Sequence, residues 1–351
     1  MKHNNRYSLQ CPIPKSDYEH VLLAHGGGGK LTQDLIDRMF LPLLGNESLE
    51  QGHDGALLPP LKEELAMTTD SFVVDPIFFP GGDIGDLAVN GTVNDLLCCG
   101  AEALYISLAF ILEEGFLLED LWKIVQSIAK AAKTAGVKIV TGDTKVVEKG
   151  KGDKVYINTT GIGRVLAGLD ISPKRCRPGD KVIINGSLGD HGIAILTRRQ
   201  GLELESQVRS DTAALTGMML DVFRNIPDIH VLRDPTRGGV ASALNEICKS
   251  SGTGIRLRED QLPVSGSVRG ACELMGLDPL YIANEGKILL IVAPEQAEKT
   301  LAVLKKHEMG RESRIIGEVS AEHPGILHLE TKIGTSRIVD MISGEQLPRI
   351  C

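Results

Sequence analysis

The chain has 351 residues, a net charge of −8 and 42% hydrophobic residues, the make-up of a globular protein with room for two domains. The negative balance argues against a large non-specific nucleic-acid surface, though not against a nucleotide held with a metal ion. No apolar run is long enough to cross a bilayer, and the start, Met1 to Arg6, lacks the apolar core of a secretory signal. The seven scattered cysteines form no CxxC pair, so a reducing cytoplasm is expected, with neither a zinc ribbon nor a disulfide framework.

Residues 1–20, with Pro12 and Pro14, read as a loose lead-in. The run His25-Gly26-Gly27-Gly28-Gly29-Lys30 follows, and then Leu31, Leu35, Ile36, Met39 and Phe40 recur at helical spacing, which predicts a helix from about Lys30. The run is not a P-loop, because Ala24 and Leu31 stand where that motif needs Gly and Ser or Thr. Two readings stand for Gly26, Gly27, Gly28 and Gly29: a backbone cradle for phosphates or a hinge. Residues 45–165 alternate strands and helices: a strand ending at Asp70, a helix over 87–99, a strand over 103–112, a helix over 117–136 capped by Gly136, and a short strand over 137–141 that runs into Gly142-Asp143. The turn-rich stretch 174–180 marks a domain boundary. Beyond it come a strand over 181–185, helices over 211–225 and 239–250, a strand over 287–293 and a helix over 295–307. The segment 323–351 reads as short strands and an extended tail, since Pro348 disfavours helix at Leu347, and it ends in Cys351. The expected division is 1–20 lead-in, 21–170 first domain, 171–322 second domain and 323–351 C-terminal region. The expected class is α/β (α+β), two-domain, with a flexible C-terminal tail.

Four aspartates stand out. Asp54 lies in a turn, Asp70 and Asp143 are expected just after apolar strands, and Asp95 sits on a helix that also carries Asn90 and Asn94 on one side. Any one of them alone is usually a turn or cap residue. As a set, hard oxygen ligands at strand ends suit Mg²⁺ with phosphate oxygens, and in α/β domains ligands gather at such ends. In the second half, Glu285, after an apolar stretch, is a candidate base if it lies in a pocket. A terminal cysteine is either the tip of a frayed tail or a tethered nucleophile.

The runs Asp75 to Gly85, Asn90 to Asp95, Val140 to Lys145, Leu188 to Gly192, Asp234 to Gly239 and Asn284 to Lys287, with the terminal Pro348-Arg349-Ile350-Cys351, together resemble the HypE family of hydrogenase maturation factors. That family lies within the PurM-like, AIR synthetase superfamily. The resemblance covers nearly everything from about residue 22 onward. It implies two PurM-like α/β domains, the first binding ATP and forming a homodimer, and a tail that swings in and out. It also implies that a HypF-like carbamoyltransferase loads a carbamoyl group onto Cys351. ATP-dependent dehydration would turn this group into a thiocyanate, and a HypC–HypD complex would accept the cyanide for the iron of [NiFe]-hydrogenase.

On that reading Asp54, Asp70, Asp95 and Asp143 hold Mg²⁺, while Gly26–Gly29, Asn90, Asn94, Thr141 and Gly142 join the aspartates around ATP. Glu285 and Lys145 handle protons on carbamoylated Cys351, although Lys145 reads equally well as a phosphate contact. Two rivals remain. One is a superfamily enzyme that phosphorylates a free small molecule, in the manner of selenophosphate synthetase or thiamin-monophosphate kinase. The other is a metal-assembly scaffold without enzymatic activity.

Overall fold

The computed structural model describes residues 18–51, 53–202, 208–342 and 350. Two mixed sheets organise the chain. The first contains β1 (Leu65–Phe72), β2 (Ala101–Glu113), β3 (Lys138–Val147) and β4 (Val155–Val165), in the order β1-β4-β2-β3, so β1 and β3 are its two edges. The first two pairings are antiparallel and β2–β3 is parallel.

One face of this sheet is covered by helices α1 (Ile84–Cys98) and α2 (Leu118–Ala135). Helix α2 is amphipathic. Leu121, Ile124, Val125, Ile128 and Ala132 form the buried stripe, Glu119 and Asp120 complement the positive N-terminus, and Gly136 closes the helix at φ 76°. Helix α1 is different, being buried nearly all round. Its start is set by a capping box, in which the Asp83 carboxylate accepts from the Gly85 and Asp86 amides and Asp86 returns the bond to the Asp83 amide. A helix with no solvent face must pack something on its polar side, and here that is the second half of the chain.

The second half builds a seven-stranded sheet. Its strands are β5 (Lys181–Ile184), β6 (Ile229–Arg233), β7 (Gly254–Arg258), β8 (Leu289–Val292), β9 (Arg314–Ser320), β10 (Leu327–Glu330) and β11 (Ser336–Ile338). Their order is β11-β10-β7-β9-β5-β8-β6, and every pairing is antiparallel except β10–β7. Helix α3 (Asp190–Gln200), helix α4 (Thr216–Asn225) and helix α5 (Gly239–Ser251) pack around it. One apolar cluster lies on one face of this sheet, while the other runs on into the first domain, so the two halves share a continuous core. Ile350 is buried in that shared core at 3% exposure. Among the described residues no helix is long and apolar enough to cross a membrane.

Three expectations shift. Asp70 lies inside β1 rather than after it, and Gly142 to Lys145 lie inside β3 rather than beyond its end. The polar Thr-Gly-Asp-Thr-Lys run mimics a turn in sequence, but an edge strand with one free side tolerates it. The helix expected over 211–225 begins only at Thr216. Residues 211–215 are instead an extended strip wedged against α1, where Asn94 accepts from the Leu215 amide (3.0 Å) and donates to the Ala213 carbonyl (3.0 Å).

Candidate functional site

The structure sorts the predicted acidic residues into two groups. The first lies between the domains. Asp70 on β1 and Asp95 on α1 come together because Gly91 lets the helix settle onto the strand. A Cβ at Gly91 would sit 3.0 Å from the Phe72 ring. The Thr68 hydroxyl then donates to the Asp95 carboxylate at 2.7 Å. Asp234, at the end of β6, hydrogen-bonds Asp95 from the other domain. Glu285 closes the group, 2% exposed, with Oε1 buried and unpartnered. Asp70, Asp234 and Glu285, with Gly91, Thr236 and Arg237, line a hollow of about 20 Å³, room for little more than one water or ion, and Asp95 stands behind Asp234 and Thr68.

Electrostatics in this group point one way. Burial raises the pKa of Asp70, and the neighbouring Asp95 adds to it. Burial likewise raises Asp95, and Asp234 is pushed to about 7 by burial and then by the charge of Asp95. Glu285 is pushed well above the carboxylate range by burial, then by Asp211, Asp234, Asp70 and Asp95. The counter-charges are Arg233, which faces Asp95 and Asp234, and Arg237, which faces Asp70 and, more weakly, Asp95.

The second group is exposed. It lies along β3, beside the helical run 30–44 and the Gly-rich loop. Lys145 Nζ is 3.0 Å from the Asp143 carboxylate, and that hydrogen bond holds the Asp143 pKa below the usual range. Asp143, Thr141, Gly142, Asp54, Thr32 and Phe40 line a hollow of about 590 Å³. Within the tetraglycine, Leu23–Gly26 forms a 3-10 turn against β3. A Cβ at Gly26 would meet the Val146 amide nitrogen at 2.3 Å, so that glycine is required by packing. A Cβ at Gly27 would make only an ordinary contact with the Ala24 carbonyl oxygen at 3.8 Å, Gly29 has open space around it, and Gly28 sits at φ 76° with its amide donating to Thr32 Oγ1.

The two groups do not form one cluster within a chain. Asp70 pairs with Thr159, Thr159 with Leu108, and Leu108 with Gly142. Asp70 and Asp143 are therefore three strands apart, about 14 Å, and side chains one residue out of register point to opposite faces. This corrects the expectation that Asp54, Asp70, Asp95 and Asp143 converge in one protomer. Among the described residues no three His, Cys, Asp or Glu side chains stand as a preformed metal site. Lys145 and Glu285 are separated in the same way.

Asn94 is also reassigned. Both of its amide hydrogens are taken, by the Ala213 and Glu285 carbonyls, and its oxygen by the Leu215 amide, which makes it a clamp between the domains rather than a nucleotide contact. Asn90 donates to the Thr212 hydroxyl at 3.2 Å and keeps capacity to spare. Cys351 lies outside the described residues. The sequence reading left Asp234 and Arg237 out of the site and did not single out Asp211 or Lys287. The signal for the first two was an Asp directly after an apolar strand, followed by Pro-Thr-Arg-Gly-Gly.

Two α/β domains joined through a buried acidic hollow define an AIR synthase related protein. The family model "AIR synthase related protein, N-terminal domain" matches residues 52–165, and its C-terminal counterpart matches 177–330. The carbamoyl dehydratase HypE of Cupriavidus necator is 51% identical over 330 residues, 94% of this chain and 94% of its own. A crystal structure of hydrogenase maturation protein HypE in complex with ATP superposes with a TM-score of 0.91 at 49% identity, covering 94% of this chain and 99% of that one. The HypE chain of a HypE–HypF complex matches at a TM-score of 0.78 and 51% identity, over 88% of this chain and 99% of that one. The chain belongs to the HypE family of carbamoyl dehydratases.

Proposed function

We propose that this chain is the ATP-dependent carbamoyl dehydratase of a hydrogenase maturation system and acts on a carbamoyl group carried by its own Cys351. The observation that carries the reading is Glu285, a carboxyl with a buried, unpartnered oxygen at a domain interface, whose pKa is raised by burial and then by the aspartates around it. A stability role does not explain such a group, whereas proton handling does.

An amide oxygen is a poor leaving group, and phosphorylating it makes departure easy. The carbamoyl oxygen takes the γ-phosphoryl group of ATP, the two N–H protons leave, and phosphate departs as the C≡N bond forms. The products are S-cyano-Cys351, ADP and phosphate. Once its neighbouring charges are neutralised, Glu285 releases its own proton to solvent and, as the carboxylate, accepts one N–H proton, while the departing phosphate takes the other. Asp70, Asp95 and Asp234 do not close a metal site by themselves, but they are hard oxygen donors of which Mg²⁺ takes one or two beside phosphate oxygens, and a dication would relieve their mutual repulsion. Bound there with phosphate oxygens, it would neutralise the charge on the phosphates and on these carboxylates. The larger hollow beside Asp143, about 590 Å³, is of the size that holds a small-molecule ligand, and the nucleotide is assigned to it. Lys145 there serves as a phosphate contact.

A nucleotide at Asp143 and acidic groups at Asp70 belong to opposite edges of the sheet, which favours a homodimer through the first domain. Leu65, Met67 and Ile111 are exposed on the face of the first sheet turned away from α1 and α2. A second copy on that face would bring the Asp143 edge of one chain toward the β1 edge of the other. A HypF-like carbamoyltransferase is the loading partner and a HypC–HypD complex the acceptor, with the cytoplasm as the setting.

Intact-mass spectrometry tests the reading. With the transferase, carbamoyl phosphate and ATP, the chain should gain one carbamoyl group on Cys351 and then lose one water. Turnover of ATP that survives Cys351→Ala would favour a kinase of a free small molecule. Absence of any adduct would favour a scaffold.

A further inference from the structure

Lys287 brings an ammonium into the interior two residues beyond Glu285. Its side chain is 9% exposed, and its Nζ lies 2.8 Å from Asp211 Oδ2, on a side chain that is 6% exposed. The other Asp211 oxygen, Oδ1, accepts from the Glu285 amide at 3.2 Å. One carboxylate therefore holds both the backbone of Glu285 and the cation nearest to Glu285 in sequence.

Packing fixes this arrangement from both sides. Asp211 opens the strip 211–215 that α1 clamps through Asn94, and Asn94 also donates to the Glu285 carbonyl at 3.1 Å. Between Glu285 and Lys287 the chain lies directly on the strip, since a Cβ at Gly286 would sit 1.9 Å from the Asp211 carbonyl oxygen. The stem of Lys287 runs beside Gly186, where a Cβ would stand 2.9 Å from its Cε. Burial pushes the Asp211 pKa up, but Lys287 and then His191 outweigh it and hold this carboxyl below the usual range.

Such a pair adds little to stability, because taking two charges out of water costs about as much as their attraction returns, and apolar replacements are often neutral. Its effect on Glu285 is larger. A carboxyl and an ammonium buried two residues apart would ordinarily pair with each other, since an unpaired buried charge is costly. Here Asp211 takes the ammonium, and Glu285 Oε1 is left without a partner. A Glu285 clasped by Lys287 would be fixed in place and a weaker base.

We propose that Asp211 is a positioning residue for the dehydration: it captures Lys287, so that the Glu285 carboxyl stays unpaired and able to take a proton from the substrate. The capture rests on the reading of Glu285 as a proton acceptor in this reaction.

Asp211→Asn tests it, because Asn keeps an oxygen for the Glu285 amide and loses the charge that holds Lys287. In a crystal structure of the variant, Lys287 Nζ should turn to the Glu285 carboxylate, at about 2.7–2.9 Å. In single turnovers of carbamoylated protein, loss of water with ATP should slow about ten- to a hundredfold, within the about 10²–10⁴-fold that a positioned base supplies. The KM for ATP and the rate of loading should stay near those of the parent. Adding Lys287→Met removes the ammonium and should bring the rate back to within about threefold of the parent, the non-additivity expected of residues in contact. A pair that served stability alone would lower the melting temperature of Asp211→Asn and leave its rate unchanged well below the melt. A folded Asp211→Asn that loses water at the parental rate, or a double variant as slow as the single one, would therefore overturn the proposal. So would a Lys287 that stays away from Glu285 in the variant's crystal. If Asp211→Asn does not fold, the double variant decides: a near-parental rate supports the capture, and a rate about tenfold lower shows that the ammonium is itself needed and overturns it. If the carbamoylated parent never loses water with ATP, the dehydration reading fails, while the position of Lys287 in Asp211→Asn still decides whether Asp211 captures it.

Discussion

The same residue type behaves in opposite ways in two regions of this molecule. Between the domains, Asp70, Asp95, Asp234 and Glu285 are pressed together with little water, and their pKa values rise. On the edge strand, Asp143 stands in solvent beside Lys145, and its pKa falls. Buried, crowded carboxyls hold protons and are starved of a cation, which is what proton transfer and phosphate chemistry require. An exposed, paired carboxylate is settled and better suited to contact than to catalysis. The first region should therefore govern the chemical step and the second the affinity for nucleotide.

The sharpest way to break this contrast is Glu285→Gln, which keeps the shape and loses the proton. Single-turnover dehydration of loaded protein should fall about 10²–10⁴-fold with the KM for ATP little changed, since that is the usual contribution of a positioned acid or base. An equal loss of loading and dehydration would remove Glu285 from the chemistry. Next is Asn94→Ala, which leaves the Leu215 amide and the Ala213 and Glu285 carbonyls without their partner. A loss of about 2–4 kcal/mol in chemical denaturation is expected, together with slower dehydration, because the Glu285 loop loses its anchor. A neutral result would mean that the domain seam is held elsewhere. Asp143→Asn should be milder, raising the KM for ATP several-fold to about tenfold with the rate at saturation nearly unchanged, as exposed charge pairs are screened. A large fall in the saturated rate instead would place Asp143 at the reacting phosphate and erase the distinction between the regions.

Much of this contrast was legible before the structure. Gly136 as a cap, the long helix it closes and the α/β order follow from periodicity and turn chemistry. Asp70, Asp95 and Glu285 were picked out as candidates on the same grounds, and the fold brings them near one another between the domains. The grouping was not legible, because sequence shows residue type and local spacing while distance across a sheet depends on strand order. Asp70 and Asp143 look equivalent in the chain, each next to an apolar run. Only the order β1-β4-β2-β3 puts them on opposite edges. Asn94 was misread for a related reason. Its helix position suggested a ligand-facing side, and the second domain turned out to occupy that side. The contact that joins Asp234 to Asp95 links residues more than a hundred positions apart, which no local pattern encodes.

The smallest expected effect bears on the same contrast through pH. Asp234 has a folded pKa of about 7, against about 3.9 for a free aspartate. Between those values the folded state binds more protons than the unfolded one, so its contribution to stability is present at low pH and is lost as pH rises through 7. Asp70, Asp95 and Glu285 act with the same sign. Asp211 acts with the opposite sign, but its pKa is lowered, so its loss falls below about pH 4. His25 and His191, lowered by burial, also oppose, destabilising as pH falls below about 6.5, so the parent's own curve is a sum. The informative quantity is the difference between Asp234→Asn and the parent. The variant should gain about 2–4 °C in melting temperature relative to the parent on going from about pH 5 to about pH 7.5. Mg²⁺ should raise the parent's melting temperature more at the higher pH, where the carboxylates are ionised, and the variant's less. Melting curves of variant and parent that stay parallel across this range would show that the interdomain aspartates are already neutralised in the free protein. The buried region would then be no better poised for a cation than the exposed one.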